Sequence, residues 1–301
     1  MSRTITVGLD GSPESRAAAE WAAREAAQRR LPLRLLHVWE PAPEPIEQAP
    51  QLGAETRQDW GERIPRDTAD GVGLRHPGVE VTTEHLTGHP GKVLCEAAKD
   101  ADLLVLGSRG LSGIGGFLVG SVGLAVVARA ERPVVLVRAG EQAADEHERD
   151  ATGIPSAATR YRPVVLGVDV DHLDATVIGF AFDAAARRGT SLWAVHGWHL
   201  PLWFVYGGAG DLYRYEQVVR SHADTLTDAL RPWREKYPSV EVVEVSRSGG
   251  AAAQLIEASH QASLVVVGRR IHRHPFGTRI GSVTHAVLHH VAAPVVVVPH
   301  D

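Results

Sequence analysis

Residues 4–10 read TITVGLD and residues 163–169 read PVVLGVD. A β-rich apolar run that ends on a glycine, an aliphatic residue and an aspartate, met twice in one chain, decides the fold. Asp10 and Asp169 stand 159 positions apart, and so do His37 in LLHVW (35–39) and His196 in AVHGW (194–198). Further out, DLLVLGSRG (102–110) matches SLVVVGRRI (263–271), GSV (120–122) matches GSV (281–283), and RPVVLV (132–137) matches APVVVV (293–298), each at a separation of 161. Pairs that recur in the same order, with a drift of two residues from first to last, make the chain a tandem repeat.

Each copy alternates strand with helix. Apolar runs bounded by turn residues predict buried strands near 4–9, 33–39, 79–84, 102–107 and 133–138, and again near 163–169, 191–198, 240–246, 263–268 and 294–298. Between them Ala17–Arg30 is an alanine-rich helix, with Ser12 as its cap and Pro13 at its first position. Residues 55–75 predict a weaker helix interrupted by Gly61 and Pro65, and Leu226 and Leu230 belong to the apolar face of its clearer counterpart. Strand–helix alternation implies an α/β class: two tandem Rossmann-like domains, each a five-stranded parallel sheet with helices on both faces. The domains are expected at 1–140 and 161–301, joined by a polar linker at 141–160. Ligands of such sheets bind beyond the carboxyl ends of the strands.

Composition narrows the function classes. The 301 residues are 44% hydrophobic and 22% charged, enough for a core in each copy. A net charge of −5 argues against a nucleic-acid partner. No apolar run approaches the length of a membrane span, and Gly8 and Asp10 interrupt the N-terminus too early for a secretory segment. With Cys95 as its one cysteine, the chain is expected in the cytoplasm.

The chemistry gathers after the fourth strand. Gly107-Ser108-Arg109-Gly110 is followed by nine residues and then Gly120-Ser121. Gly110 permits a turn that a side chain resists. Gly120 removes bulk where backbone meets ligand. Ser121 is a good cap for a helix beginning at Val122, whose first N–H groups and dipole favour an anion. Arg109 offers a charge-assisted contact to phosphate. Gly113, Gly115 and Gly116 keep the loop open.

The spacing G-x2-G-x9-G-S/T resembles the nucleotide signature of the universal stress protein family, and Gly107, Gly110, Gly120 and Ser121 fill it. Val7-Gly8-Leu9-Asp10-Gly11-Ser12 is similar to that family's first strand and turn, as are His37-Val38 and Arg132-Pro133-Val134-Val135 to its second and last strands. The resemblance covers nearly the whole chain twice over. It implies an adenine nucleotide alpha hydrolase-like fold and ATP as the ligand, with Mg2+ as a possible companion and ADP, AMP or a cyclic nucleotide as alternatives. Asp10 would then lie by the adenine, the backbone of Val38 would read its edge, and the glycine loop with the Ser121–Val122 amides would hold ribose and phosphates. The resemblance also implies pairing through the last strands, within the tandem or between chains as a homodimer.

The second copy departs from the pattern. It keeps Gly167, Asp169, Gly268, Gly281, Ser282 and Val283, but Ile271 replaces the second loop glycine. A β-branched residue is costly at positive φ. Val170-Asp171-His172 stands where the first copy has Gly11-Ser12-Pro13, and Asp171 would repel phosphate if it faced the site. Arg269 and Arg270 favour an anion. The second copy is therefore expected to bind nucleotide more weakly, or to serve as a partner domain.

Other features carry less. His272-Arg273-His274 and His289-His290 lack acidic or cysteine partners at ligand spacing, so no metal is expected. The aromatic stretch from Trp198 through Trp203, Phe204, Tyr206 and Tyr213 to Tyr215 reads as a packing surface. No Walker loop or catalytic triad is legible. Beside a nucleotide-responsive binding protein stand two alternatives: a slow ATPase or other nucleotide-dependent enzyme, and an assembly scaffold that binds nothing.

Overall fold

The computed structural model describes residues 3–41, 54–108, 111–112, 116–117, 119–200, 212–271 and 280–301. Arg109, Gly110, Trp203, Phe204, Tyr206 and the segment His272–Pro275 lie outside the described residues.

The chain divides into two compact units, the first running through Gln142 and the second beginning at Ala143. In the first unit β1 (Thr4–Leu9), α1 (Pro13–Arg29), β2 (Leu33–Trp39), α2 (Ala54–Arg75), β3 (Val81–Thr87), α3 (Pro90–Lys99) and β4 (Ala101–Ser108) follow in turn. A short antiparallel pair, β5 (Leu111–Ser112) and β6 (Gly116–Phe117), precedes α4 (Ser121–Arg129) and β7 (Val134–Arg138). The five long strands are parallel in the order β7-β4-β1-β2-β3. The strand core is aliphatic: Ile5, Leu33, Leu35, Leu103, Leu104 and Val135 are fully buried.

The sequence explains α1 in detail. Ser12 caps it by accepting the Ser15 N–H at 3.1 Å, and Pro13 sits in its first turn. Ala18, Ala19, Ala22 and Ala23 are fully buried, so the helix axis approaches the sheet closely. It begins at Pro13, the first helical position expected for it. α2 corrects an expectation. It runs through both Gly61 and Pro65 without a break. Pro65 removes one backbone bond, but burial of Ile64 and Val72 holds the helix on the sheet.

The second unit repeats the plan: β8 (Val164–Gly167), α5 (Ala175–Arg188), β9 (Leu192–Trp198), α6 (Leu212–Lys236), β10 (Val242–Ser248), α7 (Ala251–Ser259), β11 (Leu264–Arg270), α8 (Ser282–His290) and β12 (Val295–His300). Its strands are parallel in the order β10-β9-β8-β11-β12. Leu226 and Leu230 of α6 are fully buried, as their spacing predicts. The polar stretch before β8 is not bare connector. It carries a 3-10 turn, Ala143–Glu146, and two isolated bridges, His147 to Tyr161 and Arg149 to Pro155. Among the described residues no helix is long and apolar enough to cross a membrane.

Candidate functional site

Each unit has a cavity at the carboxyl end of its sheet. The first is small, about 180 Å³, and is built from the turn after β1, the end of β2 and the start of α4. Gly8, Asp10, Ser12, Val38, Gly107 and Gly120 line it, together with Ser121 and Val122. These residues come from positions up to 114 apart in the chain, and the parallel topology is what unites them.

The turn after β1 is fixed by its own chemistry. Gly11 has φ 81°, a left-handed conformation that glycine adopts at no steric cost. Asp10 accepts hydrogen bonds from both the N–H (3.0 Å) and the hydroxyl of Ser12. Burial pushes the Asp10 carboxyl upward, but the Ser12 and Ser15 hydrogen bonds outweigh it and the net shift is downward. Asp10 is thus an anion in place before any ligand arrives, with Oδ1 engaged by Ser12.

The start of α4 corrects one expectation. Ser121 is the first helical residue and the cap is Gly120, which has no side chain to satisfy the first turn. The helix's first hydrogen bond runs from the Leu124 N–H to the Gly120 carbonyl at 3.0 Å. The N–H groups of Ser121, Val122 and Gly123 precede it and take no part in the helix ladder. A cap without a side chain leaves these donors to an anion, and the dipole adds to the attraction.

Gly107 and Ser108 serve the fold. A Cβ on Gly107 would stand 2.6 Å from the Glu14 carbonyl carbon and 2.7 Å from the Ser15 nitrogen, so this glycine lets α1 begin directly over β4. Ser108 is buried and donates to the Val137 carbonyl at 3.3 Å.

The second cavity is larger, about 570 Å³. Gly167, Asp169, Gly268, Arg270 and Val283 line it, whereas Arg269 is buried. Gly281 caps α8 without a side chain, as Gly120 caps α4, and Ser282 is the helix's first residue. Ile271 does not adopt the left-handed conformation: among the described non-glycine residues that belongs to Arg30 alone. Its N–H instead extends the β11–β12 ladder, donating to the His300 carbonyl at 2.6 Å.

Both units carry a pair of imidazoles at the end of the second strand, a feature that reading along the chain missed. His37 stands in register with His85 on β3, with ring centroids 5.1 Å apart. Gly61 of α2 lies against both rings, where a Cβ would stand 3.0 Å from His85 Cε1 and 3.1 Å from His37 Cε1. Burial lowers the His37 pKa, as does the neighbouring His85, against an opposing pull from Asp10. In the second unit His196 stands opposite Ser246, and the second ring comes from His222 of α6. Gly61 and His222 are 161 positions apart, and so are His85 and Ser246. One exchange compensates the other. The signal lay in the repeat offset, but only strand register reveals that the two positions face a common partner.

Among the described residues no group of three or more histidines, cysteines and carboxylates could hold a metal ion. His285 and His289 pack ring to ring on α8 at 4.5 Å. Trp198 is buried, stacked on His222 with centroids 4.4 Å apart, and its Nε1 donates to Ser246 at 3.2 Å.

Comparison with known proteins agrees with this architecture. The Universal stress protein family matches residues 1–138 and 160–299. A universal stress protein of Mycobacterium tuberculosis is 33% identical over 97% of this chain and 96% of its own. A crystal structure of a universal stress protein from Archaeoglobus fulgidus covers 100% of both chains with a TM-score of 0.69 at 16% identity, a likeness of fold. A universal stress protein solved in complex with cAMP is 26% identical and covers 46% of this chain and 98% of its own, with a TM-score of 0.34.

Proposed function

Since the chain belongs to the universal stress protein family in its tandem two-domain form, we propose that its first unit binds ATP and that the protein acts as a nucleotide-responsive regulator in the cytoplasm. One observation carries the reading: a single cavity gathers Asp10, Val38 and the side-chain-free start of α4. The base enters against the backbone of Val38 at the end of β2. The phosphates lie on the N–H groups of Ser121 and Val122. At about 180 Å³ the cavity is below the roughly 300–1000 Å³ usual for ligand pockets. It therefore takes the base, and ribose and phosphates extend over its rim. Mg2+ accompanies the phosphates, with ADP, AMP and cAMP as competing occupants. The chain forms a homodimer, with domain–domain pairing through the last strands in addition, and sedimentation equilibrium tests the dimer directly.

Calorimetric titration of ATP, with and without Mg2+, decides the main reading. Wild type takes one ATP per chain, and Asp10→Ala and Gly120→Val each lose most of that heat. Absence of ATP uptake by wild type freed of co-purified nucleotide would sink the proposal. Turnover of ATP that scales with protein and disappears in Gly120→Val would replace it with the ATPase reading.

A further inference from the structure

The second cavity owes its size to a missing turn of helix. α1 has 17 residues and α5 has 14. Their carboxyl caps, Arg30 and Gly189, are 159 apart, as are Asp10 and Asp169, so the shortfall lies at the start of α5. Three residues follow Asp10 to reach the first helical position, and six follow Asp169. Over Gly107 the backbone of Glu14 and Ser15 fills the space. Over Gly268 the nearest atoms are side-chain atoms of His300 and Val177, at 2.8 and 3.3 Å from an added Cβ. The withdrawn turn enlarges a chamber floored by Val177, Leu255 and Val267; Leu94 and Leu106, 161 positions before Leu255 and Val267, line the smaller first cavity.

The walls of this chamber select by charge. Asp169, Asp171 and Asp174 line it, against Arg270 as the one guanidinium of the described lining. Asp174 is committed to capping α5, accepting from Thr176 and Val177. Asp169 accepts the Asp171 N–H at 3.2 Å and lies 3.1 Å from His172 Nδ1. The imidazoles add direction. His196 Nδ1 lies 3.2 Å from the Val168 carbonyl, which only accepts, so Nδ1 carries the proton and Nε2 is bare. That Nε2 lies 3.3 Å from His222 Nδ1, which must then donate to it. The neutral His222, a lining residue, is left with Nε2 as an acceptor. The start of α8, capped by Gly281 as α4 is by Gly120, offers N–H groups at one side. The carboxylates of Asp169 and Asp171 and the bare His222 nitrogen face the rest of the wall, where they meet hydroxyl or amino donors well and phosphate oxygens badly.

We infer that this chamber is a separate ligand site for a neutral heteroaromatic compound of nucleoside size, bearing hydroxyl or amino donors, and that it discriminates against the phosphorylated form. The ring lies on the aliphatic floor, and Asp169, Asp171 and His222 take its donors. Its volume of about 570 Å³ is ordinary for such a ligand. The inference does not depend on ATP binding by the first unit.

The test uses the full chain carrying Gly120→Val, which blocks the first cavity, with adenosine and ATP as probes. Adenosine binds at one per chain, and ATP binds at least tenfold more weakly. Val177→Phe, added to this background, fills the floor and abolishes adenosine binding. Asp171→Lys, at an exposed loop position that need not disturb folding, reverses the local charge and tightens ATP about tenfold. Equal affinity for adenosine and ATP overturns the inference, as does absence of adenosine binding or an ATP affinity unmoved by Asp171→Lys. Failure of the ATP reading shows separately, in the wild-type titration.

Discussion

At the scale of single residues, a motif glycine can serve the ligand or the fold, and Gly107 serves the fold. Its Cβ would press on backbone, which cannot swing aside, so Gly107→Ala is expected to destabilise the ligand-free protein by about 2–3 kcal/mol in urea unfolding. Gly268→Ala meets side chains that can move, and should cost less than about 1 kcal/mol. Equal costs would show that α1 does not seat on β4 as described. Asp10 makes a second prediction. Its folded pKa lies below the ordinary 3.8, so the stability it contributes is complete above that value and is lost as pH falls through the folded pKa. The stability difference between wild type and Asp10→Asn should be flat from pH 8 to 5 and shrink below pH 4. A difference that instead grew toward low pH would contradict the Ser12 hydrogen bonds. His222 titrates in the opposite charge sense. Burial and the nearby His196 lower its pKa against Asp171, so its neutral form is the stabilising one. That contribution is complete above the ordinary imidazole value of 6.5 and is lost as pH falls below it, a loss that His222→Phe removes.

At the scale of elements, the strands were legible because each is an aliphatic run that only a doubly covered parallel sheet can bury. Helix ends were less so. Pro13 and Ser12 announced the start of α1, but Gly120 took the cap that Ser121 was expected to fill, because a glycine in extended conformation can precede the helix as readily as a serine. The continuity of α2 was illegible, since Gly61 and Pro65 read as breaks until the sheet beneath them is known. The shortened α5 was visible only as the replacement of Gly11-Ser12-Pro13 by Val170-Asp171-His172. Both helices end in the left-handed conformation, Gly189 with φ 59° and Arg30 with φ 54°. Arg30 bears a strain that its counterpart avoids. Arg30→Gly should therefore stabilise the protein by about 0.5–1 kcal/mol, read as an upward shift of the urea midpoint with unchanged m. An unchanged or lowered midpoint would mean that the exposed Arg30 side chain contributes more than its backbone costs.

At the scale of the molecule, the repeat was the most legible feature and the difference between its copies the least. The motif count ranked the second copy as the poorer site, yet its cavity is the larger, because size there follows from how far a helix reaches and not from which signature residues remain. The two units therefore need a measurement that reports on both at once. Hydrogen exchange does so, since the slowest amides of each unit exchange through its unfolding. ATP at about 100 times its Kd stabilises the state that binds it by about 2.7 kcal/mol, close to a hundredfold in the opening equilibrium. With ATP in the first cavity, amides of β1, β4 and α4 should slow by that factor while those of β8 and β11 keep their rates. Slowing confined to β8 and β11 would place ATP in the second unit and overturn both the assignment of the first cavity and the exclusion of phosphates from the second. Slowing in neither would remove ATP as a ligand. Equal slowing in both, abolished by Gly120→Val, would keep ATP in the first unit and show that the two units unfold as one.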